Sequence, residues 1–280
     1  MSERIQKVLA RLGLGSRRQI EEWIREGKIN LNKKPAQIGD HLSPGDRVYL
    51  KGKQIDLSEI DQVKRRVISY YKNEGEICSR NDPEHKDSVF DHLPKLTNSR
   101  WIAIGRLDLN TCGLLLFTTD GELANRMMHP SFEIEREYAV RVLGEVPQEA
   151  LDNMLKGVEA EDGILKFDQI RDAGGSGANH WYHVILHQGR YREVRRLWES
   201  QGIKVSRLKR VRYGTIELAR SLRQGSWKEL DPDEIKSLLD LTGIKPEPEP
   251  ERKPQKTTKF SRPGKKKSPY GKRPSGRSRS

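Results

Sequence analysis

Apolar residues recur at helical spacing from the start of the chain. Ile5, Val8, Leu9 and Leu12 mark one helix face, and Gly13 and Gly15 break the pattern. Ser16-Arg17-Arg18-Gln19 has the form of a capping box, Ser at the N-cap and Gln three residues on. The helix it opens buries Ile20, Trp23 and Ile24 and ends at Gly27, leaving Arg17 and Arg18 on the solvent side of its first turn. Ile29 and Leu31, a polar turn through Pro35, then Val48 and Leu50 predict a small hairpin. Two helices plus a hairpin over 1–53 make a module near the lower size at which a domain folds alone. The polar stretch 54–64 reads as a linker.

From Arg65 the apolar segments become denser. Strands are predicted at 67–71, 101–104, 114–118, 138–143 and 182–186. Asp120-Gly121-Glu122 caps a helix through about Met128, and a second helix runs over 192–201 to Gly202. Strands mixed with helices, without regular βαβ alternation, predict an α+β domain over 65–245. After Ile244 the chain turns to Pro, Glu, Lys, Arg, Ser and Gly, with Phe260 and Tyr270 as its only aromatic residues. That composition cannot offset ordering entropy, so 246–280 is expected to be disordered.

Charge sharpens this picture. The net charge is +13, and it is unevenly spread. Residues 1–53 hold 12 basic and 6 acidic side chains, 246–280 hold 12 and 3, and the strip 190–212 holds nine and two. Clustering of this kind suits a polyanion and predicts salt-sensitive binding, although a basic tail is also compatible with simple solubility. Cys78 and Cys112 form neither a disulfide framework nor a metal-ligand spacing. The start lacks the apolar stretch of a signal peptide, and no run is long enough to span a membrane. A cytoplasmic protein with free thiols and no membrane partner is expected.

Gly105-Arg106-Leu107-Asp108-Leu109-Asn110-Thr111-Cys112-Gly113-Leu114-Leu115-Leu116-Phe117-Thr118-Thr119-Asp120-Gly121 places an acid and an arginine in a loop between two apolar strands. Gly105 and Gly113 permit tight backbone paths, and a buried strand after the loop would hold it firmly. An acid in such a turn also serves simply to cap it. The residue types alone leave Asp108 between those two roles.

The stretch resembles the catalytic motif of the RsuA/RluB branch of the pseudouridine synthases at all its fixed positions. Met128-His129-Pro130-Ser131 with Glu135-Arg136-Glu137-Tyr138-Ala139-Val140 resembles the family's second motif, and Gly189-Arg190-Tyr191-Arg192-Glu193-Val194-Arg195-Arg196-Leu197 its third. Leu14 to Asn32 is similar to the small ribosomal-protein-like RNA-binding domain that precedes the catalytic domain in this branch. The resemblance covers roughly residues 1–245 and implies a mixed, largely antiparallel sheet with flanking helices.

It further implies isomerisation of a uridine to pseudouridine without cofactor or metal. Asp108 aligns with the catalytic aspartate, a carboxylate able to add covalently to sugar or base or to stabilise ribose charge. Tyr138 aligns with a tyrosine that stacks on the target base, though a strand tyrosine between apolar neighbours is also an ordinary core residue. Arg195 aligns with the basic partner of the aspartate, while Arg190, Arg192, Arg195 and Arg196 could all be phosphate contacts. Helical spacing would put Arg192, Arg195 and Arg196 on one face. Arg106 suits a phosphate or the loop itself. Glu193 departs from the glutamine common in the wider superfamily. Arg17, Arg18, Lys28, Lys33 and Lys34 would dock neighbouring RNA, and the strip 190–212 would line the cleft.

The motif order and basic tail look most like the RluB-type enzymes, which act on large-subunit ribosomal RNA. A small-subunit enzyme is the nearest rival. A non-catalytic RNA-binding assembly factor would keep the basic module but needs no carboxylate among arginines. An RNA hydrolase lacks a metal-carboxylate cluster or nucleophilic constellation to support it. The expected partner is ribosomal RNA, bound by a monomer.

Overall fold

The computed structural model describes residues 3–58, 60, 64–80 and 87–245. The disorder expected for 246–280, and part of the expected linker, lie outside these residues.

The N-terminal module comprises strand β1 (Glu3–Arg4), helices α1 (Ile5–Arg11) and α2 (Arg17–Arg25), and strands β2 (Ile29–Leu31), β3 (Lys34–Pro35), β4 (His41–Leu42), β5 (Val48–Leu50) and β6 (Lys53–Ile55). Ile5, Val8, Leu9, Ile20 and Ile24 pack with Ile29, Ala36, Leu42 and Val48 in its core. Ser16 caps α2, its hydroxyl accepting from the Gln19 amide at 3.1 Å. The expected hairpin is a four-stranded antiparallel sheet, β3-β2-β5-β6, whose last strand runs to Ile55, and β1 pairs separately with β4. Leu57 and Ile60 also pack on this core, so chain written as linker helps close the module. Such short polar strands carry too few alternations to be read from sequence.

The second region begins with β7 (Val67–Lys72), β8 (Ile102–Ile104), β9 (Cys112–Thr118), α3 (Gly121–Met128) and β10 (Arg136–Leu143). It continues through α4 (Gln148–Lys156), the hairpin β11 (Val158–Ala160) and β12 (Gly163–Leu165), then β13 (Gln169–Ser176), β14 (Asn179–Leu186) and α5 (Glu193–Ser200). Strands β15 (Val205–Tyr213), β16 (Ile216–Glu217) and β17 (Trp227–Glu229) and helix α6 (Pro232–Thr242) complete it. The main sheet runs β13-β14-β10-β15-β9-β7-β17, with β16 beside β15 and β8 beside β9. Its pairings are antiparallel except β9 with β15. The mixed, largely antiparallel α+β fold is as expected.

Alternation on β9 builds two cores. Leu115 and Phe117 join Tyr138, Val140, Tyr182, Val194 and Trp198 on one face, with α4 and α5 contributing Met154 and Leu197. Leu114 and Leu116 join Leu123, Met127, Tyr213 and Leu238 on the other, under α3 and α6. A strand buried on both faces reads as a continuous apolar run, which is why Leu114–Phe117 was legible. Asp120 caps α3 by accepting from the Glu122 and Leu123 amides, a contribution of about 1 kcal/mol. Among the described residues no helix is long and apolar enough to cross a membrane.

Candidate active site

Asp108 lies in the turn between β8 and β9, half-buried, with Leu107 beneath it in the core and Arg106, Leu109 and Asn110 exposed. Each carbonyl from Leu107 to Thr111 holds a donor. The Cys78 thiol reaches Leu107 O at 3.4 Å, and the Gly75 amide donates to Leu109 O at 2.9 Å. Asp108 O accepts from the Thr111 amide at 3.0 Å and from Lys72 Nζ at 3.2 Å. Lys72 Nζ also donates to Thr111 O at 3.0 Å and Asn73 O at 2.8 Å, which uses its three N–H donors. Arg195 Nη2 donates to Asn110 O at 2.7 Å. The loop is therefore held through its backbone, while the Asp108 carboxylate makes no hydrogen bond or ion pair among the described residues. A rigid loop with an uncommitted acid is preorganised for chemistry, and a mere turn cap would have spent its oxygens locally.

Lys72 is fully buried at the end of β7 and was not singled out in the sequence, where a lysine closing a strand looks like a surface residue. Burial pulls its ammonium below the ordinary lysine range; negative charge on Cys78, Glu76, Cys112 and Asp108 would act in the other direction. Lys72→Met keeps the volume and removes the ammonium from the carbonyls of Asn73, Asp108, Leu109 and Thr111. The expected result is a loss of about 3 kcal/mol in thermal or denaturant unfolding and a saturating single-turnover rate at least about tenfold lower. Unchanged stability and rate would show that the loop does not depend on this clamp.

Tyr138 is buried on β10, its ring within the first core. In register across the sheet it sits beside Arg210 of β15, which sits beside Gly113 of β9. Two strand spacings, about 10 Å, thus separate Tyr138 from the residue that ends the Asp108 loop. Gly113, at φ 109°, permits this junction, because a Cβ there would meet Arg210 O at 2.3 Å and Arg210 N at 2.7 Å. Arg210 itself is 2% exposed, donates Nε–H to Leu114 O at 2.7 Å, and stacks over the Tyr213 ring.

Arg195 does not form an ion pair with Asp108 among the described contacts. Besides Asn110 O it donates to Val205 O at 3.2 Å, so it ties the motif loop to α5 and β15. Burial pushes its guanidinium below the ordinary range, with Arg192 adding to the effect and the Asp108 charge opposing it. Arg192, Arg195 and Arg196 do not share a helical face. Arg192 is the N-cap of α5 with φ 51°, a left-handed backbone that costs a non-glycine residue about 1 kcal/mol or more, and it pairs with Glu199 at 3.1 Å. Arg196 pairs with Asp162 at 2.5 Å, and Arg190 Nη1 donates to Asp162 O at 2.6 Å. Glu193 is buried, and burial raises its carboxyl pKa; its Oε2 accepts from the Arg190 amide at 3.0 Å. A carboxylate can thus hold this turn where the superfamily has an amide.

The basic strip 190–212 does not line one surface. Arg195 on α5 and Arg210 on β15 turn inward, while Arg212, across a bulge in β15 from Arg210, pairs with Glu135 and Glu137 at 2.8 and 3.0 Å. Glu137 and Arg212, with Arg171, His183 and Arg220, border a cavity of about 480 Å³ that none of Asp108, Tyr138 and Arg195 lines. That cavity and the Asp108 loop are separate. Arg17, Arg18, Lys33 and Lys34 are exposed on the N-terminal module, and Lys28 pairs with Glu26 at 2.6 Å. Asn32 and Lys33 both take positive φ, 49° and 72°, the primed hairpin turn that displays the Lys33 side chain. Gly13 abuts the Ser99 backbone, and Arg17 Nη2 lies 4.0 Å from where a Gly121 Cβ would stand. Arg17 is thus carried to the entrance of α3.

Residues 66–200 match the RNA pseudouridylate synthase family, and residues 3–48 match the S4 domain. The chain is 55% identical over 249 residues to the ribosomal large subunit pseudouridine synthase B of Escherichia coli (strain K12), covering 88% of this chain and 86% of that one. The chain belongs to the pseudouridine synthase family. A second synthase B, from Pseudomonas aeruginosa, is 54% identical over 247 residues, spanning 88% of this chain and 64% of that longer relative. A crystal structure of a pseudouridylate synthase shares the fold at a TM-score of 0.58 and 24% identity, with 84% of this synthase and 99% of that chain covered. This family assignment makes the chain an RNA isomerase with an N-terminal S4 RNA-binding domain.

Proposed function

We propose that the chain isomerises one uridine to pseudouridine in large-subunit (23S) ribosomal RNA, with Asp108 as nucleophile. The observation that carries the reading is the Asp108 loop, which is anchored at five consecutive carbonyls and leaves the carboxylate free. The large-subunit target rests on the relatives, whose names specify that subunit.

In the proposed mechanism the uridine first leaves the stack, at a cost of a few kcal/mol. Tyr138 then lies against the base while Asp108 supports cleavage of the N1–C1′ bond by adding to sugar or base. The uracil turns, C5 bonds to C1′, the bond to Asp108 breaks to free the carboxylate, the C5 proton departs and N1 is left bearing hydrogen, so atoms balance without a redox partner or cofactor. Arg195 acts in this scheme by holding Asn110 and the loop, with Arg106 exposed toward the substrate. The S4 module (1–53, linker 54–64) docks a neighbouring RNA segment through Arg17, Arg18, Lys28, Lys33 and Lys34. The catalytic region, 65–245, does the chemistry, with Arg190, Arg192 and Arg196 near the entry. We place the protein in the cytoplasm as a monomer acting on ribosomal RNA or its assembly intermediates.

Release of tritium from uridine C5 tests the reading, since isomerisation must discharge that hydrogen. About one equivalent per transcribed large-subunit RNA, and none from small-subunit RNA, is expected. Release only from small-subunit RNA would overturn the target. Silence on both, with naked and partly assembled RNA, would leave a binding protein as the better reading.

A further inference from the structure

The third motif contains one large side chain that the site so far does not use. Tyr191 is 73% exposed, the most exposed of the large apolar or aromatic side chains in the described structure. Its ring makes no aromatic contact and its hydroxyl no hydrogen bond among the described residues. An isolated surface tyrosine would need no explanation, but the backbone around this one is fixed on both sides. The Arg190 amide is held by buried Glu193, the Arg190 side chain by the Asp162 carbonyl, and the Tyr191 carbonyl accepts from Arg196 Nη1 at 3.4 Å. Arg192, immediately after it, is held in the left-handed conformation. The three neighbouring arginines are all engaged within the protein, with Asp162 or Glu199. Only the tyrosine ring faces out uncommitted.

Four residues on, Arg195 touches the Asp108 loop through Asn110 O. Chain length alone keeps the Cα atoms of Tyr191 and Arg195 within about 14 Å, short enough for one RNA segment to span the ring and the Asp108 loop. A rigid, exposed aromatic flanked by cations is the physical requirement for stacking an unpaired nucleobase, whose face is apolar and whose phosphate is anionic. We infer that Tyr191 is a stacking platform for an unpaired base of the RNA next to the flipped uridine, and so a substrate-positioning residue rather than a catalytic one. This deepens the proposed function and rests on it for the identity of the RNA.

The experiment compares full-length Tyr191→Ala, Tyr191→Leu, Tyr191→Phe and Tyr191→Trp with wild type on C5-tritiated large-subunit transcript. Single-turnover rates are read as a function of enzyme concentration, and RNA binding is read by filter retention. Because the ring is exposed, all four variants should fold. Ala and Leu should raise the half-saturating concentration by about 5- to 150-fold with little change in the saturating rate, the range expected for one stacked base. Phe and Trp should restore wild-type behaviour. The dependence of binding on salt should keep its slope in all of them, since no charge is altered. Leu matching Trp, or Ala binding as tightly as wild type, would overturn the stacking role. If wild type itself released no tritium, the reaction assignment would fail, yet the filter comparison would still decide whether Tyr191 stacks on RNA.

Discussion

Replacing Asp108 with Asn is expected to abolish tritium release while leaving the protein folded and bound to RNA. The loop is held through carbonyls 107 to 111, and the carboxylate takes no part in those bonds. An isosteric amide therefore changes the nucleophile and little else. The melting temperature should move by no more than about 2 °C, as for a substitution away from packed or paired groups. The saturating rate should fall by on the order of 10⁴-fold or more, the scale seen when a nucleophile that acts in concert with its surroundings is removed. RNA affinity should hold or rise slightly, because a negative charge is lost beside phosphates. Single-turnover tritium release with filter binding and thermal denaturation checks all three. A residual rate above about a tenth of wild type would exclude Asp108 as the nucleophile, and unfolding would show that the acid had been structural.

Gly113→Ala is expected to have the largest effect on stability. The added methyl would lie 2.3 Å from Arg210 O and 2.7 Å from Arg210 N, both backbone atoms of a paired strand, and φ is 109°. Neither side can move without parting β9 from β15, the one parallel contact in the sheet. A loss of about 4 kcal/mol or more is expected, at the far end of single-substitution effects, and a fall in melting temperature of about 10 °C. Activity should suffer even in the cold, since the same junction sets the distance between Tyr138 and the Asp108 loop. Thermal denaturation and the saturating rate at low temperature report the two consequences separately. A stable, active Gly113→Ala protein would mean that the two strands tolerate a wider spacing.

These effects also show where sequence reading reached and where it stopped. Helix α1 was legible because Ile5, Val8 and Leu9 repeat at its period. Strand β9 was legible because a doubly buried strand is a solid apolar run. Strand β13, Gln-Ile-Arg-Asp-Ala-Gly-Gly-Ser, lies at the sheet edge with nearly all of its residues exposed, and has no alternation to find. Strand β15 was hidden by its basic residues, which read as a phosphate-binding strip although Arg210 is interior and Arg212 is committed to Glu135 and Glu137. Among the proposed site residues, Asp108 stands out in the sequence through its motif and Tyr138 through its neighbours. Lys72 was not, because a buried cation leaves no mark in composition until its carbonyl partners are known. Arg195, expected to partner the carboxylate, instead grips the loop backbone at Asn110 O.

The β9–β15 junction also fixes an order of events during synthesis. Cys112 pairs with Lys209 and Gly113 with Arg210, nearly a hundred residues later, whereas the S4 module closes on contacts among its first sixty residues. Nascent chain must emerge past β15 before the Asp108 loop has its full support, while the RNA-docking face can form long before. A ribosome making this protein thus exposes a binder of RNA first and an isomerase last. A chain that stalls in between would carry a closed S4 module beside an Asp108 loop still lacking its partner strand.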